Sequence, residues 1–584
     1  MQVSTLQLTT HHDLPATDAY LERFLKEKVL QRIRAIDARY REGGLRALDS
    51  ASDPLVAIGV ETGSGAVTKN SYGVLNLSWR ARENSGWAGA VRAEVAEIRK
   101  KIEEVHGTRL RYLIWAGMGG SIEDKSMYNA AGLLRSNPRC YALDSTDPSK
   151  LKCILEDIGR RSGERLPAIL KSTLVVGMAM GMTSYEPVVN LEKLYNLYQK
   201  YKIDSHPNFV YMTLPGSLLD QFGSSRGYRK IELQLDGENT TAGRHSGPLT
   251  RGSLYPLALA GVNLERWLDS TFLPDEEIHT AWHLASFIHA QGEAGRDKLT
   301  LMLPKPWVGA ALWTKQDFEE SLGKSESIGL KVVIGERIRL ANYRPIKDPH
   351  QDRAFLAFRF KGAAHPEAKK IEALRRAGYP MAVVNAPAGA LLSRYMQFIH
   401  YTVCGLGYLR RMNFVTQPSV ELYKSIAGRV YSAALKSGGV ENTKEWKALS
   451  RSQSSTWRGA VTLYHNSERV EASTEAPAIY ASIVKQLAGP REVEYAELTY
   501  FGDTRYNPRG RRMRTLLRRA AERLFRARLK MPVDLYEGPA MNHSYHEMII
   551  GHGRCFSTVL FSEKQEQLAS SGYTAEYHRA QFLA

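Results

Sequence analysis

The sequence predicts an α/β protein built from two successive parallel sheets, with helices before them and an α+β extension after them. Short apolar runs that end at Gly, Asp or Pro alternate with helical patterns across the middle of the chain. This alternation is typical of parallel strands covered by helices, and it occurs twice. At 584 residues the chain is also too long for one hydrophobic core, so about two to four domains are expected.

Residues 1–104 are predicted to be mostly helical. Apolar side chains at three-to-four spacing predict a helix over residues 16–42. A second amphipathic helix covers residues 88–106 and ends before Gly107. Roughly the first fifteen residues lack a periodic pattern, and we expect them to be disordered.

Residues 105–265 are predicted to form the first parallel sheet. Four short apolar runs are the strand candidates, and a helical pattern over residues 186–202 covers one of the connections. The runs are residues 112–116, 140–143, 174–176 and 209–212.

Residues 266–440 are predicted to form the second sheet. A helical stretch over residues 275–292 precedes four more strand candidates, and a long helix over residues 389–411 follows them. The strand candidates are residues 299–303, 331–334, 354–358 and 381–384.

Residues 441–584 keep periodic apolar positions, so we interpret them as a folded α+β extension. A helix is predicted over residues 475–488, an exposed or edge strand over residues 494–501 and a basic helix over residues 510–529. In the basic helix an apolar stripe lies opposite the arginines; its members are Leu516, Ala520, Leu524 and Phe525. We therefore favour a solvated face of a docked helix over a nucleic-acid site, and the latter stays an alternative.

Composition narrows the classes of function. Lysine and arginine number 79 against 61 acidic residues, a net charge of +18, so anions such as nucleic acids or sugar phosphates are suitable partners. Four cysteines without a CxxC pair argue against a disulfide framework and against zinc. The sequence shows neither a secretory signal nor a run of eighteen or more apolar residues, so we expect a cytoplasmic protein without a membrane segment.

Three distant segments each place one reactive side chain near Gly or Pro: Arg244 in 242–246, Glu320 in 320–324 and Lys424 in 417–424. A carboxylate, a fixed guanidinium and an amine suit proton abstraction next to a carbonyl, because the base takes the proton while the cations stabilise an enediolate.

A glycine-rich turn follows the first predicted strand and precedes a helix. Its residues Gly119, Gly120 and Ser121 could bring backbone N–H groups close to an anion. The turn does not match GxxxxGK[ST], which excludes a nucleotide P-loop.

These segments, together with 143–148 and 257–263, stand in the order found in glucose-6-phosphate isomerases. The chain resembles that family over roughly residues 105–430. It is most similar to the branch in which the isomerase is fused to transaldolase, because that branch carries the Leu-Asp-Ser-Thr-Asp-Pro segment and a C-terminal extension that residues 538–544 match.

The resemblance implies two sugar-isomerase (SIS) domains, each a five-stranded parallel sandwich, with the active site between them at the boundary of a homodimer. It implies a sugar phosphate as substrate and requires neither cofactor nor metal. Glu320 would be the base that moves a proton between C1 and C2 through a cis-enediol, Arg244 would stabilise the enediolate, and Lys424 would serve the ring oxygen. Gln417 would bind substrate, and His543 is the candidate histidine that reaches the site.

The departures from the family concern its phosphate loop and its arginine turn. Residues 177–186 lack the family's lysine and contain three methionines, which leaves Thr183, Ser184 and backbone N–H groups as phosphate ligands. Each lost charge-assisted bond costs on the order of 1.5–3 kcal/mol. Either Lys171 or another basic residue meets the phosphate, or the ligand is not an ordinary hexose 6-phosphate. His245 stands where the family has Phe or Tyr.

Two functions therefore remain open. The first is an isomerase that interconverts glucose 6-phosphate and fructose 6-phosphate. The second is a sugar-phosphate-binding homologue whose altered loop has changed its substrate or removed its activity.

Overall fold

A computed structural model describes most of the chain. It covers residues 5–49, 52–63, 65–135, 137–238, 241–324, 329–466, 475–539, 546–548, 552–562 and 575–584. The strands β1 to β17 are Gln7–His11, Val60–Gly63, Ala66–Asn70, Tyr112–Ala116, Arg139–Leu143, Thr173–Ala179, Phe209–Thr213, Arg229–Lys230, Lys298–Met302, Lys331–Val333, Arg353–Phe360, Met381–Ala386, Gln453–Trp457, Val461–His465, Tyr495–Phe501, Val533–Gly538 and Cys555–Phe561. The α-helices α1 to α23 are Ala16–Lys26, Val29–Gly43, Arg46–Asp49, Pro54–Gly59, Tyr72–Glu83, Gly86–His106, Glu123–Ala130, Pro148–Ser162, Leu166–Lys171, Glu186–Lys200, Leu218–Ser224, Arg251–Leu259, Leu264–Asp269, Asp275–Glu293, Ala311–Leu322, Ala368–Arg376, Leu392–Arg410, Pro418–Ser437, Lys444–Arg451, Ala476–Ala488, Pro508–Ala520, Ala527–Leu529 and Glu576–Leu583.

The first sheet has the order β5-β4-β6-β7-β8, and all its strand pairs are parallel. The four predicted strands are confirmed as β4 to β7, and the two-residue strand β8 completes the sheet. The chain passes from β4 to β5 on one side and then crosses to β6 on the other side of β4. This change of direction opens a crevice at the carboxyl ends of β4 and β6. The glycine-rich turn and the loop after β6 both lie at that end of the sheet.

The second sheet has the order β1-β12-β11-β9-β10. Its four predicted strands are confirmed as β9 to β12, which pair in parallel. The fifth strand is β1, which pairs antiparallel with β12, with Leu8 opposite Val384. Our expectation of disorder over the first fifteen residues is therefore wrong for β1, because its order comes from a partner far along the chain.

The N-terminal helices begin and end where their local signals place them, with one interruption. The predicted helix over residues 16–42 is split into α1 and α2 at Lys28, whose φ of 49° is left-handed. The helix α6 ends at Gly107, which adopts a φ of 64° as its C-cap. The hairpin β2–β3 lies between α4 and α5, in a stretch of mixed character where the sequence shows turn signals but predicts no strands.

The C-terminal extension contains its own parallel sheet, in the order β16-β15-β17. The strand β15 is central and buried, so the prediction of an exposed or edge strand over residues 494–501 is wrong. The charged residue Glu497 misled that prediction, since it is fully buried and accepts a hydrogen bond from Lys331 Nζ at 2.7 Å.

A buried ion network joins this sheet to the second sheet. Lys331 Nζ lies 2.7 Å from Glu497, 2.6 Å from Asp534 and 3.4 Å from Glu319. Lys315 Nζ lies 2.7 Å from Asp534 and 2.5 Å from Glu319. Because all five side chains are removed from water, each charge depends on its partners for compensation.

A second buried network joins the extension to the first sheet. Lys150 Nζ lies 3.1 Å from Asp503 Oδ1 and 3.5 Å from Asp144 Oδ1, and it also pairs with Glu537. Arg505 pairs with Asp144 and Glu537. Asp144 belongs to the Leu-Asp-Ser-Thr-Asp-Pro segment, so that segment anchors the extension.

The basic helix is docked through a stripe that shares Phe525 with the predicted one but otherwise lies one residue later along the chain. Leu517, Ala521 and Phe525 are buried and belong to the core of the extension, whereas Leu516 is 52% exposed. Both stripes have a spacing of four, and the adjacent leucines do not distinguish them in the sequence.

No helix among the described residues combines the length and apolar character needed to cross a bilayer.

Candidate active site

A narrow cleft, with about 40 Å³ of space for water-sized molecules, lies at the carboxyl ends of β4 and β6 and extends to residues that follow the second sheet's strands. It collects most of the residues that the sequence singled out: Gly120, Ser121, Ser184, Arg244, Glu320, Gln417 and Lys424. The cation, the carboxylate and the amine therefore converge on one space although they are far apart in the sequence.

Three predicted site residues do not line the cleft in this structure. Gly119 lies in the same turn as Gly120, is buried and has a φ of 53°. Thr183 is exposed in the loop after β6. His543 lies outside the described residues.

The Arg244 guanidinium is fixed by five hydrogen bonds. Its Nε donates to Ser321 Oγ at 2.9 Å, and its Nη2 donates to the carbonyl oxygens of Phe414 and Val415 at 2.5 and 2.8 Å. Its Nη1 lies 3.3 Å from Glu320 Oε1 and 3.4 Å from Gln417 Oε1. A rigid fork of donors held in this way is pre-organised to stabilise a developing oxyanion.

Glu320 is placed on the last turn of α15 and is 2% exposed. Its Oε1 faces Arg244, and its Oε2 accepts a hydrogen bond of 2.8 Å from Gln316 Nε2. Both oxygens are thereby oriented at the edge of the cleft, which is the arrangement that a general base requires.

Lys424 and Gln417 come from the start of α18. Lys424 Nζ lies 2.8 Å from Glu421 Oε1, which also accepts a hydrogen bond from Gln417 Nε2 at 3.3 Å. The Lys424 ammonium packs against the loop after β6, because a Cβ added at Gly181 would lie 3.2 Å from it. An ammonium group is therefore present beside the loop that lost its own lysine.

The loop after β6 offers few donors of its own. Met178 and Met180 are buried beneath the cleft, and Ser184 is the one hydroxyl of this loop among the lining residues that the structure describes. Lys171 cannot compensate in this fold, because it ends α9 and so precedes β6, at the opposite end of the strand.

Lys69 also lines the cleft, and the sequence reasoning missed it. It comes from β3 of the N-terminal hairpin, is 8% exposed, and its Nζ donates to the two carboxylate oxygens of Glu61 at 2.9 and 3.0 Å. Its one sequence signal is the turn at residues 62–65, which indicates a hairpin but not its destination.

Glu547 is buried next to the cleft and Lys324 is half-buried near it; the sequence reasoning missed Glu547 as well. Glu547 Oε1 accepts hydrogen bonds from the N–H groups of Ser419 and Val420, at 2.8 and 3.1 Å, and so caps the start of α18. Burial raises the pKa of Glu547 to about 7. Burial and the neighbouring Arg244 guanidinium lower the pKa of Lys324.

Potential metal ligands occur in two clusters among the described residues. One is His245, Asp317 and His400, which are all buried, and the other is Asp297, Glu494 and His552. Neither cluster lies among the residues that line the cleft.

The predicted SIS-type α/β fold is confirmed, and two solved structures share it. A glucose-6-phosphate isomerase from Chlamydia trachomatis D/UW-3/Cx superimposes with a TM-score of 0.53 at 14% identity, covering 77% of this chain and 92% of that chain. A hypothetical protein from Thermus thermophilus superimposes with a TM-score of 0.51 at 18% identity, covering 72% of this chain and 99% of that chain.

In sequence, the chain is similar to glucose-6-phosphate isomerases over part of its length. It is 26% identical over 257 residues to the glucose-6-phosphate isomerase of Synechococcus sp. (strain JA-2-3B'a(2-13)), and the alignment covers 41% of this chain. It spans 46% of that relative's own length, which is less than half. A scan against models of known protein families found no match.

Proposed function

We propose that the protein is an aldose–ketose isomerase acting on a sugar phosphate, and specifically that it interconverts glucose 6-phosphate and fructose 6-phosphate through a cis-enediol. The observation that carries the proposal is the contact between Arg244 and Glu320 at one edge of a cleft that Gln417 and Lys424 also line. The sequence relatives with that named activity support the choice of substrate.

In the proposed reaction Glu320 removes the proton from C2 of the open-chain aldose and returns it to C1. Arg244 stabilises the negative charge that develops on the enediolate oxygens, since its guanidinium is already oriented by Ser321 and by two carbonyl oxygens. Lys424 supplies an ammonium beside the loop after β6 and serves the ring oxygen during opening. His543 stays the predicted histidine for that step.

The phosphate end of the substrate is assigned to Ser184, to the start of α10 and to Lys69. Backbone N–H groups at a helix N-terminus favour an anion, and Lys69 brings the positive charge that residues 177–186 lack. The proposal therefore moves the phosphate cation from the loop to the N-terminal hairpin.

The test is solvent exchange. The purified protein, incubated with glucose 6-phosphate in D₂O, is expected to introduce deuterium at C2, as measured by proton NMR. Glu320→Gln should abolish the exchange, whereas Glu276→Gln, a surface change at the start of α14, should leave it unchanged. Absence of exchange by the intact protein with every sugar phosphate tried would reject catalysis.

The second function, a binding homologue without turnover, is favoured by one observation: Met178 and Met180 are buried at the end of β6, and among the described lining residues the loop after it offers one hydroxyl, that of Ser184. It predicts calorimetric binding of glucose 6-phosphate by a protein that exchanges no deuterium. The same two measurements therefore separate the two functions.

A further inference from the structure

We propose that His245, Asp317 and His400 form a binding site for a divalent transition-metal ion such as Zn²⁺. The site is distinct from the cleft and does not depend on the proposed isomerase activity. It would tie together the turn that carries Arg244, the helix α15 that carries Glu320, and the helix α17.

The distances between the three side chains leave room for one ion, which Asp317 would bind with both oxygens because each histidine faces a different one. His245 Nε2 lies 3.3 Å from Asp317 Oδ1, and His400 Nδ1 lies 3.1 Å from Asp317 Oδ2. Neighbouring ligands of a tetrahedral zinc ion are about 3.3 Å apart, given zinc–ligand bonds of about 2.0–2.1 Å. All three ligand atoms lie within 4.8 Å of one another.

The outer hydrogen bonds orient the two imidazoles as metal ligands are usually oriented. His400 Nε2 is 2.7 Å from the Gly247 carbonyl oxygen, which can only accept, so Nε2 carries a hydrogen and Nδ1 faces Asp317. His245 Nδ1 is 2.7 Å from Ser71 Oγ. In metal sites the second ring nitrogen of a histidine ligand makes this kind of contact to a fixed polar group.

Among the described side chains, neither a lysine nor an arginine forms an ion pair with Asp317. Its side chain is 1% exposed, and its described ion-pair partners are the two histidines alone. Neither of its oxygens makes a well-oriented hydrogen bond. A buried carboxylate is costly unless its charge is compensated, and either a protonated histidine or a bound cation supplies that compensation.

The other cluster shows how this fold satisfies the same need without an ion. Between Asp297 and Glu494, the ammonium of Lys298 lies 2.8 and 2.9 Å from the two carboxylates. His552 Nε2 adds a contact of 2.8 Å to Asp297. A lysine side chain occupies the position that a cation would take, so this cluster serves as an internal control.

Arg244 does not exclude an ion from the neighbouring site. Its charge faces Glu320 and two carbonyl oxygens, and it reaches the cluster through the Ser321 hydroxyl. That hydroxyl lies 3.2 Å from His245 Nε2, so Ser321 or a water would complete the coordination. The ring of Trp313 packs edge-on against His400, with centroids 5.3 Å apart, and contributes an apolar wall.

The test is metal content. The full chain is produced in zinc-supplemented medium and purified without chelator. Inductively coupled plasma mass spectrometry is expected to find about one zinc ion per chain. Asp317→Asn and His400→Gln should reduce the content to near zero, whereas His552→Gln should leave it unchanged. A metal-free wild type, or equal zinc in wild type and Asp317→Asn, would overturn the proposal and leave an imidazolium–carboxylate pair.

A second measurement needs no variant, in case the substitutions prevent folding. X-ray absorption of the zinc protein should show imidazole and oxygen ligands, and protein produced with Co²⁺ should show the visible absorption of a four-coordinate cobalt ion. Sulfur ligands, or a shell of oxygen alone, would place the ion elsewhere and overturn the proposal.

Discussion

Gly120 faces the backbone of Arg244 so closely that a Cβ at residue 120 would lie 2.2 Å from the Arg244 Cα and 2.2 Å from its N. The glycine-rich turn after β4 thus fixes the position of the arginine that follows far along the chain. This close packing gives Gly120 a role that does not require the turn itself to touch a ligand.

Gly120→Ala is therefore expected to displace Arg244 and to lower the isomerase kcat by about 10²-fold, the effect of a misplacement of roughly 1 Å. It should also destabilise the protein by about 1–3 kcal/mol, as overpacking does. Gly86→Ala is the matched control, because a Cβ there meets nothing within 4 Å. Equal thermal stability and activity in the two variants would show that the turn can move away from Arg244.

Lys69→Met tests whether the N-terminal hairpin supplies the phosphate cation. Loss of a charge-assisted bond of about 1.5–3 kcal/mol should raise the KM for a sugar phosphate by roughly 10- to 150-fold. The kcat should change little, because Lys69 is assigned to binding and not to the proton transfer. Lys171→Met should leave KM unchanged. If KM rises in Lys171→Met and not in Lys69→Met, the phosphate is bound by Lys171.

Glu547 should make stability depend on pH. Its pKa is raised to about 7, above the ordinary value of about 4.3, so the folded state holds a proton that the unfolded chain releases. Its favourable contribution is present below about pH 4.3 and is lost as the pH rises through 7.

Glu547→Gln removes this titration and keeps an acceptor for Ser419 and Val420. The variant should be more stable than the wild type at pH 8, by roughly 3–4 kcal/mol, and the difference should shrink as the pH falls and disappear near pH 4. Melting temperatures across this range, with Glu276→Gln as control, give the comparison. A difference that stays constant with pH would refute the assignment.

Lys331→Met should destabilise the docking of the C-terminal sheet. The substitution leaves the network of Glu497, Asp534 and Glu319 without one of its cations, a loss of about 3–5 kcal/mol for a buried ion pair. A lower melting temperature and faster proteolysis of the extension are expected. Lys436→Met, in the exposed last turn of α18, should behave as the wild type. Unchanged stability of Lys331→Met would mean that apolar packing holds the sheet.

Strands that are buried on both faces were predictable from the sequence, because β4 to β7 and β9 to β12 each form a compact apolar run. β1 was not, since Leu8 and its neighbours gain order only from β12. The central position of β15 was missed because Glu497 looked solvent-exposed, whereas Lys331 compensates it inside the protein.

The candidate site likewise contains residues that the sequence could predict and residues that it could not. The segments with Arg244, Glu320 and Lys424 carry local patterns, and the structure brings them to one cleft. Lys69 and Glu547 have no such pattern, because each approaches the cleft from an element remote in the chain. The sequence argument against zinc rested on cysteines, and it gave no weight to His245, Asp317 and His400, whose convergence is visible only in three dimensions.

The pairing of β1 with β12 has a consequence for biosynthesis. Translation delivers β1 first, yet its partner leaves the ribosome only after the whole first sheet and most of the second have been made. During that interval the backbone groups of β1 are hydrogen-bonded to water, and they exchange water for β12 when the sheet closes. The second sheet would then be completed by a strand that was synthesised well before its partner β12.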